Sequence, residues 1–124
     1  MLTRIYFLLL FCTFYSALFA QKPSIQRADP TNWWVGMKNP EVQILLYGKN
    51  LKGSTVDINH PGVSIRQVYE VENPNYLFLD LYIAPETQPG RIGIALSKEI
   101  QVQKGGKTVT ETAQALHVYE LKVR

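Results

Sequence analysis

Apolar and polar residues alternate along most of the chain after residue 20, which is the pattern of strands with one buried face. The clearest alternation is at residues 76–83, where Leu77, Leu79, Leu81 and Ile83 share one face and Tyr76, Phe78, Asp80 and Tyr82 share the other. No segment carries a sustained 3.6-residue period with helix caps. The sequence therefore predicts an all-β fold.

Turn residues interrupt these runs at short intervals, as in residues 60–62 (HPG), 73–75 (NPN) and 88–90 (QPG). Gly105-Gly106 is the sharpest of them and predicts a hairpin with a two-residue loop. Short strands separated by turns every eight to twelve residues are typical of immunoglobulin-like sandwiches. We therefore expect one antiparallel β-sandwich domain over residues 21–124.

The first twenty residues predict a secretory signal peptide. Arg4 lies in a short basic start, residues 5–19 are almost wholly apolar, and Ala20 supplies a small residue at the predicted cleavage site. An uncleaved anchor is the alternative, because the apolar stretch is close to the shortest spanning length of ~17 residues. With cleavage, the domain is secreted or periplasmic and loses Cys12, so its stability depends on a conventional core rather than on disulfides.

Charge and reactive residues exclude several functions. The 13 Lys and Arg against 10 Asp and Glu are scattered, which predicts no binding to nucleic acid. His60 lies in a turn and His117 on a strand, and the acidic residues stand singly rather than at the spacing of metal ligands. We predict no metal, no cofactor and no catalytic residue in this chain.

The aromatic residues are the candidate site. Trp33 and Trp34 are adjacent, so on a strand one ring faces inward and the other outward. Tyr76 and Phe78 form a second aromatic face, opposite the leucines of the same run. One interpretation is packing, with one tryptophan in the core and the other at an edge. The other is a contact surface for sugar rings or for another domain.

Three stretches together resemble a known family. They are residues 29–38 (DPTNWWVGMK), 42–48 (VQILLYG) and 73–81 (NPNYLFLDL). They look like the N-terminal domain of the cyclomaltodextrinase and neopullulanase branch of the α-amylase family. This resemblance implies an immunoglobulin-like domain that precedes a (β/α)₈ catalytic barrel. The acid and nucleophile of retaining glycoside hydrolysis would belong to that barrel, so no catalytic residue is carried over to this chain.

The resemblance implies an accessory domain of a secreted hydrolase acting on α-1,4-linked maltodextrins, cyclodextrins or pullulan. Its expected partners are the catalytic barrel, in the same chain or in a partner subunit, α-glucan oligosaccharides, and a second copy of the chain. The alternative is a free-standing exported module that binds carbohydrate or protein. A third hypothesis, an enzyme in its own right, has no residues to support it.

Overall fold

The computed structural model describes residues 21–124, which form eight β-strands and no helix. The strands are β1 Ser24–Asp29, β2 Asn32–Trp34, β3 Glu41–Lys49, β4 Thr55–Ile58, β5 Val63–Glu70, β6 Tyr76–Ile83, β7 Gly90–Lys104 and β8 Lys107–Lys122. In this part of the chain, no helix has the length and hydropathy to cross a membrane. The all-β prediction is confirmed, whereas the predicted signal peptide lies outside the described residues.

The strands form two four-stranded sheets that pack on one hydrophobic core. Sheet A has the order β1-β3-β6-β5 and sheet B the order β2-β8-β7-β4. The core joins residues of both sheets, among them Ile44, Leu46, Leu77, Leu79, Ile94, Leu96 and Tyr119, all of which are fully buried. The molecule is therefore a β-sandwich, as expected.

The sandwich is not antiparallel throughout, which corrects the prediction. Strand β2 pairs with β8 in parallel, with Trp33 opposite Leu121, while the other pairings are antiparallel. The cause is the break at Pro30, which removes a backbone N–H and separates β1 from β2. The chain leaves sheet A at Asp29 and joins the edge of sheet B at Asn32, where it runs in the direction of β8.

The alternation of side chains on β6 shows which side of sheet A faces the core and which faces outward. Leu77, Leu79, Leu81 and Ile83 are at most 4% exposed, and the intervening side chains are only half-buried on the outer side. Strand β3 repeats the pattern in register, since Ile44 lies opposite Leu79 and Leu46 opposite Leu77. Because side chains alternate across a strand, burying the leucines directs the aromatic residues outward.

The predicted hairpin at Gly105-Gly106 is confirmed. Lys104 pairs with Lys107, and the two glycines have φ angles of 57° and 76°, as a two-residue loop with positive φ at both positions requires. Pairing of β4 with β7 reaches only to Ser97, so the described residues beyond it form a two-stranded arm, residues 98–113. Gln101 Nε2 donates to Thr110 Oγ1 (2.9 Å) across this arm.

Candidate functional site

The four residues singled out from the sequence lie on two different sheets. Trp33 and Trp34 belong to β2 at the edge of sheet B, and Tyr76 and Phe78 belong to β6 inside sheet A. Tyr76 and Phe78 alternate with fully buried leucines, so they point away from the core that separates the two sheets. The four residues therefore do not form one surface, and each outer face has to be considered by itself.

The two tryptophans point in different directions, as alternation on a strand requires. Trp33 is in register with the buried Leu121 and packs against the core. Trp34 is in register with the exposed Lys122 on the outer side. Their ring centroids are 5.2 Å apart with a tilt of 51°. Both side chains are half-buried, so neither is a fully enclosed core residue.

Sheet B carries an aliphatic outer face, which we define as Trp34, Gly93, Ala95, Leu116 and Val118. Leu116 is 67% exposed and Val118 is 55% exposed, although both lie on the inner strand β8. Their partners across the sheet are the small residues Ala95 and Gly93. A Cβ at Gly93 would lie 3.2 Å from Cδ1 of Leu116. This leucine therefore lies flat over the glycine and leaves an apolar surface open to water.

Strand β8 directs Leu116 and Val118 away from the core, although Tyr119 and Leu121 of the same strand are buried in it. Ala115 and His117 face the core and are half-buried, while Leu116 and Val118 face water. His117 lies opposite the fully buried Ile94. Alternation on a strand with one dry face normally gives the reverse arrangement. Leu116 and Val118 thus form an exposed aliphatic patch on the outer side of sheet B.

Sheet A carries an aromatic outer face, which we define as Leu45, Tyr47, Tyr69, Tyr76, Phe78 and Tyr82. The register places Phe78 between Tyr69 of β5 and Leu45 of β3, and Tyr76 opposite Tyr47. The rings of Tyr47 and Tyr76 are 5.1 Å apart with a tilt of 46°. Tyr69 is 40% exposed and the other rings are half-buried by their neighbours.

Polar groups adjoin this aromatic face on one side. Asp80 follows Phe78 on the outer side of β6 and accepts a hydrogen bond from Gln43 Nε2 (2.9 Å). A hydrogen bond to the Asp80 carboxylate also raises the pKa of Tyr69 above its ordinary value, with smaller contributions from desolvation and from the carboxylate charge. Gln43, Arg66 and Asp80 contribute to the lining of a depression of about 220 Å³. Donors and acceptors are thus held next to apolar rings.

Two arginines cover two of the rings. The Arg27 guanidinium lies 4.9 Å from the centroid of the Tyr47 ring, and that of Arg66 lies 4.5 Å from the Tyr82 ring. Such contacts are attractive because the face of the ring is electron-rich. Of the rings on the aromatic face, this leaves Tyr69, Tyr76 and Phe78 without a stacked cation in the described part of the chain.

His60 and Glu70 take part in hydrogen bonds to the backbone of turns. His60 Nδ1 accepts a hydrogen bond from the backbone N–H of Gly62 (3.0 Å) within its turn, and Glu70 accepts one from the N–H of Gly53 (3.2 Å). Residues 21–124 contain no cluster of three or more His, Cys, Asp or Glu side chains that could hold a metal ion.

Sequence reasoning missed several residues of the two faces. Tyr47 and Tyr69 lie far from β6 in the chain, and only the register of three strands brings them beside Tyr76 and Phe78. For Leu116 and Val118 the sequence did contain a hint of an apolar outer face, because these two apolar residues flank His117 and share one side of the strand. The choice of which side of β8 faces the core depends on the pairing with β7.

The family comparison agrees with the resemblance noted in the sequence. A family model for the N-terminal domain of cyclomaltodextrinase matches residues 27–124. The match includes every residue of both outer faces.

Proposed function

Because the chain belongs to the family of cyclomaltodextrinase N-terminal domains, we propose that it is the accessory domain of a secreted glycoside hydrolase and packs against an α-amylase-type catalytic barrel through its aliphatic outer face. The barrel supplies the two carboxylates that cleave the glycosidic bond. This chain supplies a rigid β-sandwich that supports the barrel. The observation that carries the proposal is the exposure of Leu116 and Val118 on an inner strand.

The strand order supports an immunoglobulin-like version of the sandwich. If β1 and β2 are the two halves of the first strand, sheet A follows the order A-B-E-D and sheet B the order A′-G-F-C. The parallel pairing of β2 with β8 then corresponds to the second half of strand A beside strand G. In this arrangement, the aliphatic outer face lies on strands A′, G and F.

Physical chemistry favours a protein partner for this face. Complete burial of a leucine or valine side chain stabilises an interface by about 1.5–3 kcal/mol. Gly93 and Ala95 keep the surface flat around Leu116, so a second layer of secondary structure can approach the sheet closely. Gly93, Ala95 and Leu116 have no hydrogen-bonding group in their side chains. Covering this part of the face with a partner therefore has a low cost of desolvation.

The test is the association of the purified chain with a separately produced cyclomaltodextrinase barrel, measured by sedimentation velocity. We expect a complex with the unchanged chain and loss of most of that complex with the double substitution L116S/V118S. Val109→Ser is the matched control, because Val109 is 40% exposed on the opposite side of β8. Thermal unfolding of both variants shows whether the fold is preserved.

Two results would contradict this proposal. Equal weakening by the Val109 and Leu116 substitutions would mean that the aliphatic face has no special part in association. A chain that ignores the barrel and forms dimers through Leu116 would instead identify a second copy as the partner. Only the second result would favour a free-standing binding module.

Export is the second part of the proposal and is supported by the pattern of residues 1–20. We expect material from the bacterial periplasm to have the mass of a chain that begins at or near Gln21. Intact-mass spectrometry of fractionated cells measures this directly. A species that retains Met1 in the membrane fraction would identify the segment as an anchor.

A further inference from the structure

We propose that the aromatic outer face of sheet A binds a chain of pyranose sugars, with Tyr69, Phe78 and Tyr76 as the stacking platform and Asp80 and Gln43 as hydrogen-bonding partners. The identity of the sugar as α-linked glucose rests on the proposed function. The stacking arrangement does not depend on it. Association with the barrel uses the other side of the sandwich, so the two proposals can fail independently.

The platform lies where three strands are in register. Tyr69 of β5 is directly opposite Phe78 of β6, and side chains opposite each other on neighbouring strands have Cβ atoms about 5 Å apart. Tyr76 is two residues before Phe78 on the same side of β6, about 7 Å away along the strand. These spacings are comparable with the size of a sugar ring. Consecutive residues of an oligosaccharide can therefore contact consecutive aromatic side chains.

The chemistry of the rings favours a sugar over an aliphatic partner. The C–H face of a pyranose is apolar while its edge carries hydroxyl groups, and a tyrosine ring likewise has an apolar body and a polar tip. The face contains five aromatic residues and one leucine. The aliphatic face of sheet B contains one aromatic residue, Trp34. The two sides of the domain thus present different chemistry to their surroundings.

The polar groups next to the platform are already oriented. Gln43 Nε2 donates a hydrogen bond to the Asp80 carboxylate (2.9 Å), which retains further lone pairs for a ligand hydroxyl. Arg66 is held over the Tyr82 ring at the other side of the depression. Because these side chains are fixed by their neighbours, little conformational entropy is lost when a ligand binds.

A neutral ligand suits the balance of charge at this site. The depression contains the acidic residues Glu41 and Asp80 and the basic residue Arg66, so neither sign of charge dominates. The hydroxyl groups of a sugar both donate and accept hydrogen bonds. The carboxylates of the depression can accept them, its guanidinium can donate them, and its amide can do both. A phosphate or a strongly acidic peptide would face repulsion from the two carboxylates.

The experiment is isothermal titration of the purified chain with maltoheptaose, with cellohexaose as the β-linked counterpart. We expect binding of maltoheptaose and weaker or no binding of cellohexaose. Tyr69→Ala should weaken binding about tenfold, because it removes the most exposed ring of the platform. Tyr69→Phe keeps the ring and should retain most of the affinity.

Val109→Ser is the matched control, since Val109 is 40% exposed like Tyr69 but lies on β8 of sheet B, and its substitution should leave the titration unchanged. Tyr69 is exposed, so its substitution leaves the core intact, and thermal unfolding confirms this for each variant. A second measurement, the change in backbone amide NMR shifts on adding maltoheptaose, should map to residues 67–69 and 76–80.

Three outcomes would overturn the inference. The first is that neither oligosaccharide binds. The second is that binding survives Tyr69→Ala but is lost with Trp34→Ala, which would place the sugar on sheet B. The third is a preference for cellohexaose, which would exclude α-linked glucose as the ligand. None of the three affects the association between the chain and a barrel, which the L116S/V118S variant tests.

Discussion

Tyr119 shows at the scale of a single residue how the two sheets are joined. Its side chain is fully buried in the core, and its hydroxyl donates a hydrogen bond to the carbonyl oxygen of Pro30 (2.9 Å). Pro30 lies in the segment that carries the chain from sheet A to sheet B. Burial, with a smaller contribution from the charge of Asp29, raises the pKa of the Tyr119 phenol well above its ordinary value of 10.0.

This shift predicts a loss of stability in alkaline solution. Below about pH 10 the phenol is protonated in both states, so its contribution to stability is fully present. Above that pH the unfolded chain releases the proton and the native chain does not, so the free energy of unfolding falls by up to about 1.4 kcal/mol per pH unit. Urea unfolding of the unchanged chain from pH 8 to 11 measures the slope.

Tyr119→Phe is the variant that isolates the effect. At pH 8 it should cost about 1 kcal/mol of stability, because the Pro30 carbonyl loses its donor. Above pH 10 the free energy of unfolding of this variant should fall less steeply with pH than that of the unchanged chain. The difference corresponds to the release of about one proton on unfolding. Equal slopes in the two proteins would show that the Tyr119 pKa is not raised in the native state.

At the scale of an element, the arm at residues 98–113 depends on its turn. Gly105 and Gly106 both have positive φ, and the space around the Cβ position of each is open to 4 Å. A substitution at Gly106 therefore tests backbone strain without a steric clash. The arm has no third strand beside it in the part of the chain that the structure describes. Ile100 near its base is 3% exposed, whereas Gly105 and Gly106 at its tip are exposed.

Gly106→Val should destabilise the arm by about 1–2 kcal/mol, because a β-branched residue tolerates positive φ poorly. Gly106→Asn is the matched comparison and should cost less, since asparagine adopts this conformation more readily. Hydrogen exchange of the amides in residues 98–113 measures the difference, while amides of the sandwich strands should change little. Uniform loss of protection would show that the arm and the sandwich unfold together.

At the scale of the whole molecule, the domain has two unlike outer faces, one aliphatic on sheet B and one aromatic on sheet A. Retaining glycosidases need two carboxyl groups about 5–5.5 Å apart across the scissile bond. The Asp80 carboxylate, next to the aromatic face, accepts a hydrogen bond from Gln43. Under the accessory-domain proposal, both carboxyl groups belong to the barrel.

We expect the purified chain to release no reducing sugar from cyclodextrin, pullulan or starch during a long incubation. A complete cyclomaltodextrinase serves as the positive control in the same assay. Turnover that persists through successive purification steps and is lost with Asp80→Asn would contradict the accessory-domain proposal. It would assign an active site to sheet A.

The sequence alone determined the all-β fold, the Gly105-Gly106 hairpin and the core side of β6. These follow from local physics, since alternation, positive φ at glycine and turn residues act over a few positions. The family was also visible in short stretches such as residues 29–38. The predicted antiparallel β-sandwich differs from the structure at one pairing, the parallel one of β2 with β8, because the edge that β2 joins depends on a strand more than eighty residues away.

Only the tertiary structure decided which residues make up each face. Strand alternation gives two sides but does not say which strands are neighbours, so Tyr47 and Tyr69 could not be placed beside Phe78 from the sequence. The sequence also could not show that Leu116 and Val118 lie on the outer side of sheet B, because their hydrophobicity alone would place them in the core. The register between β7 and β8 sets that choice, and it is fixed by long-range pairing together with the burial of Tyr119 and Leu121.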